Sequence, residues 1–331
     1  MLDHSFFMHL ALDEAWKYQG LTYPNPAVGC CVVGKHSQIL AIEAHKKAGL
    51  PHAEVNALYS AYNSINKTPT TLTSSQDIHN FLILNHNNIF KDVTLYVTLE
   101  PCSHIGKTPS CATLIKELGI KKIFVSLQDL NEVAKDGAEV LNSQNIEVEF
   151  NLLAGKGADL LFPFKKWSEN NFVTFKIAHR LNGTIDGTVS STESREDVHK
   201  MRDVCDLLVI GGNTVREDRP TLDARLCEGR APDILIYSKT KEFDKTIPLF
   251  NVKDREVLIE SSLKKIANYK NIIIEGGEGM FEATKEIVDY YLSFVAPTTS
   301  NSSTFTKSEN SFEYKHISKN KKDLIIWMKR A

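Results

Sequence analysis

The feature that most restricts this chain is a set of chemically matched residues held far apart along it. His52-Ala53-Glu54 opens an apolar helical stretch, Leu99-Glu100-Pro101-Cys102 closes a β-type run, and Cys111 follows after eight intervening residues. One imidazole and two thiolates are a zinc ligand set of the catalytic kind, three protein donors leaving a fourth position for water. A fold that uses them together must bring the start of a helix and the end of a strand to one point. Each residue alone has a plainer reading. A histidine ahead of a helix is ordinarily a cap or surface group, and cysteines around a polar loop are ordinarily core. Their conjunction with Glu54 selects the metal: His52, Cys102 and Cys111 as ligands, with Glu54 beside the open position.

His-x-Glu followed by Pro-Cys and a second cysteine is the pattern of zinc deaminases, although there only two residues separate the cysteines. Zinc lowers the pKa of bound water toward ~7. The hydroxide then attacks a ring carbon that bears an exocyclic amine. Glu54 is the expected catalytic residue, carrying the proton from water to the ring nitrogen and on to the departing amine. The reaction class this predicts is hydrolytic deamination of an amino-heterocycle.

The rest of the chain reads as two α/β domains. Phe7, Leu10, Ala11, Ala15 and Tyr18 recur at helical spacing, followed by strands at Ala27–Val33, Val93–Leu99 and Ile123–Leu127 and helices at Ala53–Tyr62 and Thr113–Leu118. Ile146–Phe150 adds a fourth strand. This alternation predicts βαβ units and a largely parallel sheet. Ser64–Lys91, rich in Asn, Ser and Thr, reads as a surface insertion with at most one helical turn. Asn151–Asn171 reads as a junction, which divides the chain into residues 1–150 and 151–331. Beyond it come a strand at Phe172–Ala178, a helix at Ser194–Cys205 and strands at Leu207–Gly211, Asp233–Tyr237, Val257–Glu260 and Ile272–Glu275. The last of these runs into Gly276-Gly277 and a helix. Thr298–Ser311 reads as irregular.

Composition excludes several classes. Lys+Arg 39 against Asp+Glu 41 gives a net charge of −2, without the basic excess of a general nucleic-acid binder. No run approaches the ~18 apolar residues of a membrane span, and Met1–Trp16 lacks the pattern of a secretory signal. A cytoplasmic setting is expected, in which the six cysteines stay reduced.

Three runs together, Pro24-Asn25-Pro26-Ala27-Val28-Gly29-Cys30, His45-Lys46-Lys47-Ala48-Gly49-Leu50-Pro51-His52-Ala53-Glu54, and Tyr96 through Cys111, resemble the bifunctional riboflavin-biosynthesis deaminase–reductases. In that family the wider cysteine spacing is normal. The resemblance implies a cytidine-deaminase-like three-layer domain followed by a dihydrofolate-reductase-like domain. It implies a pyrimidine nucleotide substrate, 2,5-diamino-6-ribosylamino-4(3H)-pyrimidinone 5′-phosphate, with Asn25, His45 and Lys107 lining its pocket. It continues through Phe175-Lys176-Ile177-Ala178, Leu181-Asn182-Gly183, Arg195 to Arg202, Gly211 to Arg225 and Ile274-Glu275-Gly276-Gly277. Here it implies reduction of the ribosyl to a ribityl chain by NADPH. Lys176, Arg202, Leu222, Arg225 and Glu275 are the implied substrate contacts, and Ala178, Thr214, Asp218, Gly276 and Gly277 the implied cofactor contacts. A dimer or tetramer of the chain is compatible with this reading.

The chain also departs from the family pattern. Thr184–Ser190 is shorter than the usual Ser-Gly-x-Ser-x-Trp-Ile segment and has no Trp, His179-Arg180 stands for small residues, and Ser110 stands for a common Pro. Asp129-Leu130-Asn131-Glu132 replaces Asp-Pro-Asn-Pro. The rival these departures leave open is a deaminase whose second domain serves only nucleotide binding or oligomerisation.

Overall fold

The computed structural model describes residues 3–67, 70–103, 109–129, 137–302, 304–305 and 308–331. The chain divides into two compact units, Met1–Phe164 and Lys165–Ala331.

The first unit runs α1 (His4–Trp16), β1 (Gly29–Val33), β2 (Ile39–Ala44), α2 (Ala53–Asn66), α3 (Ser75–Asn85), β3 (Thr94–Leu99), α4 (Cys111–Glu117), β4 (Lys122–Leu127), α5 (Gly137–Asn142) and β5 (Glu147–Glu149). Its sheet has the order β2-β1-β3-β4-β5. β1 lies antiparallel to both neighbours, while β3, β4 and β5 are parallel. The sheet is therefore mixed rather than largely parallel, because β2, unread in the sequence, returns directly on β1. Strand alternation sorts the side chains into two layers. Cys30, Val32, Leu95, Val97, Ile123 and Val125 join Leu58, Ile78, Leu82, Leu114 and Ile115 in one core. On the other face Tyr96 stacks on Phe124 at 5.0 Å and meets Phe7 of α1. α1 crosses β1 so closely that a Cβ at Gly29 would stand 1.9 Å from the Ala11 carbonyl oxygen. Only glycine fits there.

Two stretches differ from the sequence reading. Within 64–91 lies a full helix, α3, capped by Ser74, whose side chain accepts from the Asp77 N–H. Ile78 and Leu82, one helical turn apart, sit in the core, so the segment is part of the domain's packing. The 151–171 stretch holds another helix, α6 (Ala154–Glu169), with Pro163 inside it. The first unit extends along this helix to Phe164, where the sequence reading ends its first domain at 150.

The second unit runs β6 (Phe172–Arg180), α7 (Thr192–Val204), β7 (Leu207–Gly211), α8 (Gly212–Asp218), β8 (Asp233–Tyr237), β9 (Val257–Glu260), β10 (Asn271–Glu275), α9 (Glu278–Thr284), β11 (Tyr290–Ala296), β12 (Phe312–Asn320) and β13 (Asp323–Arg330). The sheet order is β12-β13-β11-β6-β10-β7-β8-β9. From β11 to β9 all neighbours are parallel, and β13 and β12 add an antiparallel edge. The apolar runs of β7, β8 and β10 are buried, as strands covered on both faces require. β11, β12 and β13 were not read from the sequence. The C-terminal ends of β6, β7, β8 and β10 share one edge, the place where open α/β sheets bind ligands. Among the described residues no helix is long and apolar enough to cross a membrane.

Candidate active sites

In the first unit His52 caps α2 with extended backbone, and its side chain makes no capping bond. It turns instead toward the end of β3 and the start of α4. His52 Nδ1 lies 3.7 Å from Cys102 Sγ and 3.4 Å from Cys111 Sγ. Ligand atoms at zinc's usual bond lengths and tetrahedral angle stand ~3.6 Å apart, so the donor set fits a single zinc ion. The Cys111 N–H donates to Cys102 Sγ at 3.4 Å. Hydrogen bonding from Cys111 is the first cause that pulls the Cys102 thiol pKa down, aided by His52 against the effect of burial. Cys111 moves the opposite way, because its thiol hydrogen-bonds Cys102 and is buried, with the Glu54 and Cys102 charges adding their repulsion. A dication removes that repulsion.

Glu54, in the first turn of α2, is only 4% exposed. Burial pushes its carboxyl up to about 7, with the Cys102 charge adding and His52 opposing. That value suits a group that takes and returns a proton near neutrality.

Neighbouring residues hold the ligand segments. His45 donates from Nδ1 to the Pro51 carbonyl at 3.1 Å, and its Nε2 accepts from Asn25 Nδ2 at 3.0 Å. Burial lowers its pKa to about 4, which keeps the ring neutral and this tautomer fixed. Its edge meets the His52 ring at 5.5 Å. Asn25 and His45 thus come together beside the His-Cys-Cys cluster, whereas Lys107 lies outside the described residues. Sequence reasoning missed Asn56 and Glu100. Asn56 Nδ2 donates to the Ala44 and Pro51 carbonyls at 3.0 and 3.2 Å, tying down the approach to His52. The buried Glu100 carboxylate accepts the Asp129 and Ala138 N–H groups at 3.1 and 2.8 Å, pinning the turn that carries Cys102. Asn56 shares the face of α2 with His52, the one signal that pointed to it. Glu100 gave none, since its partners are backbone groups far along the chain.

In the second unit a cavity of 820 Å³ opens at the strand ends. Lys176, Ala178, Arg202, Thr214, Asp218, Leu222, Glu275, Gly276 and Gly277 all line it. Nine of the ten residues named from the sequence for this domain therefore meet in one cavity. The tenth, Arg225, is exposed outside the lining and pairs with Asp223 at 2.6 Å. Arg202 reaches both carboxylate oxygens of Glu275 at 3.0 Å. Burial pushes the Glu275 carboxyl up, but the Arg202 and Lys176 charges outweigh it and hold the pKa below the ordinary range. Burial lowers the Lys176 ammonium pKa, Glu275 opposing and Arg202 adding. The sequence reading overlooked His199, whose Nδ1 accepts the Leu226 N–H at 3.4 Å at the cavity wall.

A second cavity of 520 Å³, lined by Gly212, Ser238, Lys239, Thr240 and Gly277 among others, shares Thr214 and Gly277 with the first. Close approach restricts Gly276 of the first cavity and Gly212 of the second. A Cβ at Gly276 would meet Met280 at 2.6 Å, and one at Gly212 would meet Ser238 at 2.7 Å. Ile185, from the segment without Trp, lies 3.3 Å from the Cβ position of Gly277. The two adjoining cavities at the strand ends, with backbone accessible at Gly277, fit an extended dinucleotide.

Comparison with known proteins matches each unit to a family model. Residues 1–127 match the family model of the cytidine and deoxycytidylate deaminase zinc-binding region, and residues 179–299 match that of the RibD C-terminal domain. The riboflavin biosynthesis protein RibD of Bacillus amyloliquefaciens is 34% identical over 71% of this chain and 59% of its own length. That of Aquifex aeolicus is 36% identical over 66% and 57%, so the chain spans under three fifths of these two relatives. RibD of Escherichia coli is 27% identical over 86% of this chain and 70% of its own length. The crystal structure of a diaminohydroxyphosphoribosylaminopyrimidine deaminase/5-amino-6-(5-phosphoribosylamino)uracil reductase from Thermotoga maritima superposes with a TM-score of 0.63. It is 26% identical, and the match covers 99% of this chain and 98% of that one. Acinetobacter baumannii RibD, 23% identical, shares the fold over the same extents with a TM-score of 0.61. A unit that matches the zinc-binding region of cytidine and deoxycytidylate deaminases and carries a His-Cys-Cys cluster, followed by a unit that matches the RibD C-terminal domain, is thus the arrangement in which the chain is similar to the riboflavin biosynthesis proteins RibD.

Proposed function

We propose that the chain carries out two successive steps of riboflavin biosynthesis in the cytoplasm. The first unit deaminates 2,5-diamino-6-ribosylamino-4(3H)-pyrimidinone 5′-phosphate, and the second reduces the ribosyl of the product to a ribityl chain with NADPH. The observation that carries the reading is the convergence of His52, Cys102 and Cys111 beside the buried Glu54.

His52, Cys102 and Cys111 would hold zinc, which would supply the Lewis acidity that makes water a nucleophile near neutral pH. Glu54 moves two protons in turn, one from the attacking water to the ring nitrogen and a second from the hydroxyl so added to the departing amine, which leaves as ammonia. Its near-neutral pKa lets it do both within one turnover. His45 and Asn25, locked to each other, shape the wall on which the pyrimidine rests. In the second unit the cavity residues would hold NADPH, which would supply the hydride. Gly276 and Gly277 let the backbone approach the dinucleotide, while Thr214 and Asp218 contact its nicotinamide half. Lys176 and Glu275 form a charged floor under the ribose, and Arg202 holds Glu275 ionised and in place. The already paired state of Arg202 supports this positioning role over a free phosphate grip.

The test is a two-step assay on the purified chain. The diamino substrate should release one ammonia per turnover, and the deaminated intermediate should then drive loss of NADPH absorbance. Ammonia release without cofactor consumption would overturn the second half of the reading, and no ammonia release the first.

A further inference from the structure

The buried His79 lies on α3, in the stretch that the sequence presents as an insertion, and the reactions above make no use of it. Its side chain is only 5% exposed, and its Nε2 donates to the Ser110 carbonyl at 3.2 Å. Ser110 is the joint between the two cysteine ligands. Its hydroxyl donates to the Cys102 carbonyl at 3.0 Å and accepts the Thr113 N–H at 3.2 Å, capping α4. The Ala112 N–H donates to the same Cys102 carbonyl at 3.1 Å. The Ser110 carbonyl already accepts the Leu114 N–H at 3.2 Å, so His79 occupies its remaining lone pair. α3 is in turn fixed by Ile78 and Leu82 in the core. An unbroken chain of hydrogen bonds thus runs from a rigid helix to the peptide preceding Cys111.

On the reading that the His-Cys-Cys cluster holds zinc, we infer that His79 is a positioning residue of the metal centre, fixing Ser110 and through it the spacing of Cys102 and Cys111. Partners outside the ligand set typically change metal affinity by about 10–100-fold. His79 acts one residue away from a ligand, so the lower end applies.

The experiment uses the full chain loaded with cobalt(II), with wild type, His79→Phe and His79→Gln compared. Phenylalanine fills the volume without a donor, whereas the glutamine amide places a donor near the original Nε2. Wild type should bind one cobalt per chain with thiolate charge-transfer bands. His79→Phe should bind about tenfold more weakly with shifted bands, and His79→Gln should restore both affinity and spectrum. Equal affinity and spectra in wild type and His79→Phe overturn the inference, as does a glutamine variant impaired as badly as phenylalanine. If the phenylalanine variant fails to fold, the glutamine variant alone decides, by matching or failing to match wild type. A wild type that takes up no cobalt overturns the zinc reading itself, a result distinct from all the others.

Discussion

Glu54 and Glu275 are both buried carboxylates, and their surroundings give them opposite tasks. Around Glu54 burial dominates and its pKa rises to about 7, the condition for proton transfer. Glu54→Gln keeps the shape and all three metal ligands, so zinc content by elemental analysis should stay at one per chain. Ammonia release should fall by at least about 100-fold, the scale of general acid–base catalysis. Around Glu275 the Arg202 and Lys176 cations outweigh burial, and the carboxylate is held ionised. Its folded pKa lies below the unfolded value of about 4.3, so the stabilisation is present above that pH and lost as pH falls through the folded value. Glu275→Gln should flatten this part of the acid limb in thermal melts recorded against pH. At neutral pH it should cost about 3 kcal/mol, because Arg202, with its side chain 11% exposed, is left without its counter-charge.

Among the elements, α3 separates a packed domain from one with a loose surface insertion. Leu82 is fully buried there, and Leu82→Ala should cost about 2–4 kcal/mol in urea unfolding of the first unit. A surface helix would lose almost nothing. The composition of 64–91 hid this helix, since its one continuous apolar patch, Phe81–Leu84, stands amid polar residues. The apolar runs of β1, β3, β4, β7, β8 and β10 were legible because strands buried on both faces read as continuous apolar stretches. β2 and β12 escaped for the opposite reason: both are edge strands with mixed burial, and their pairing is decided by partners distant in sequence. β11 is fully buried, yet it was also passed over, which no feature of its environment explains. At the sites, residues whose chemistry is carried by side-chain type and spacing, such as His52, Glu54 and Cys102, were legible. Residues that act on backbone groups far away, such as Glu100 and His79, were not, because nothing in their local sequence marks the carbonyl or N–H they reach.

Over the whole molecule, two units with separate cores hold the two candidate sites, each within one unit. Dialysis of the full chain against a strong zinc chelator should therefore abolish ammonia release. NADPH consumption on supplied deaminated intermediate should persist, as followed by absorbance of the reduced nicotinamide. Loss of both together would mean that the second reaction also depends on the metal. Deamination by the first unit depends on one coordination sphere, and zinc K-edge X-ray absorption on the purified chain reads it directly. The predicted spectrum contains two sulfur scatterers at about 2.3 Å and light N/O scatterers at about 2.0–2.1 Å around one zinc per chain. A zinc shell without sulfur, or with four sulfurs, would contradict it.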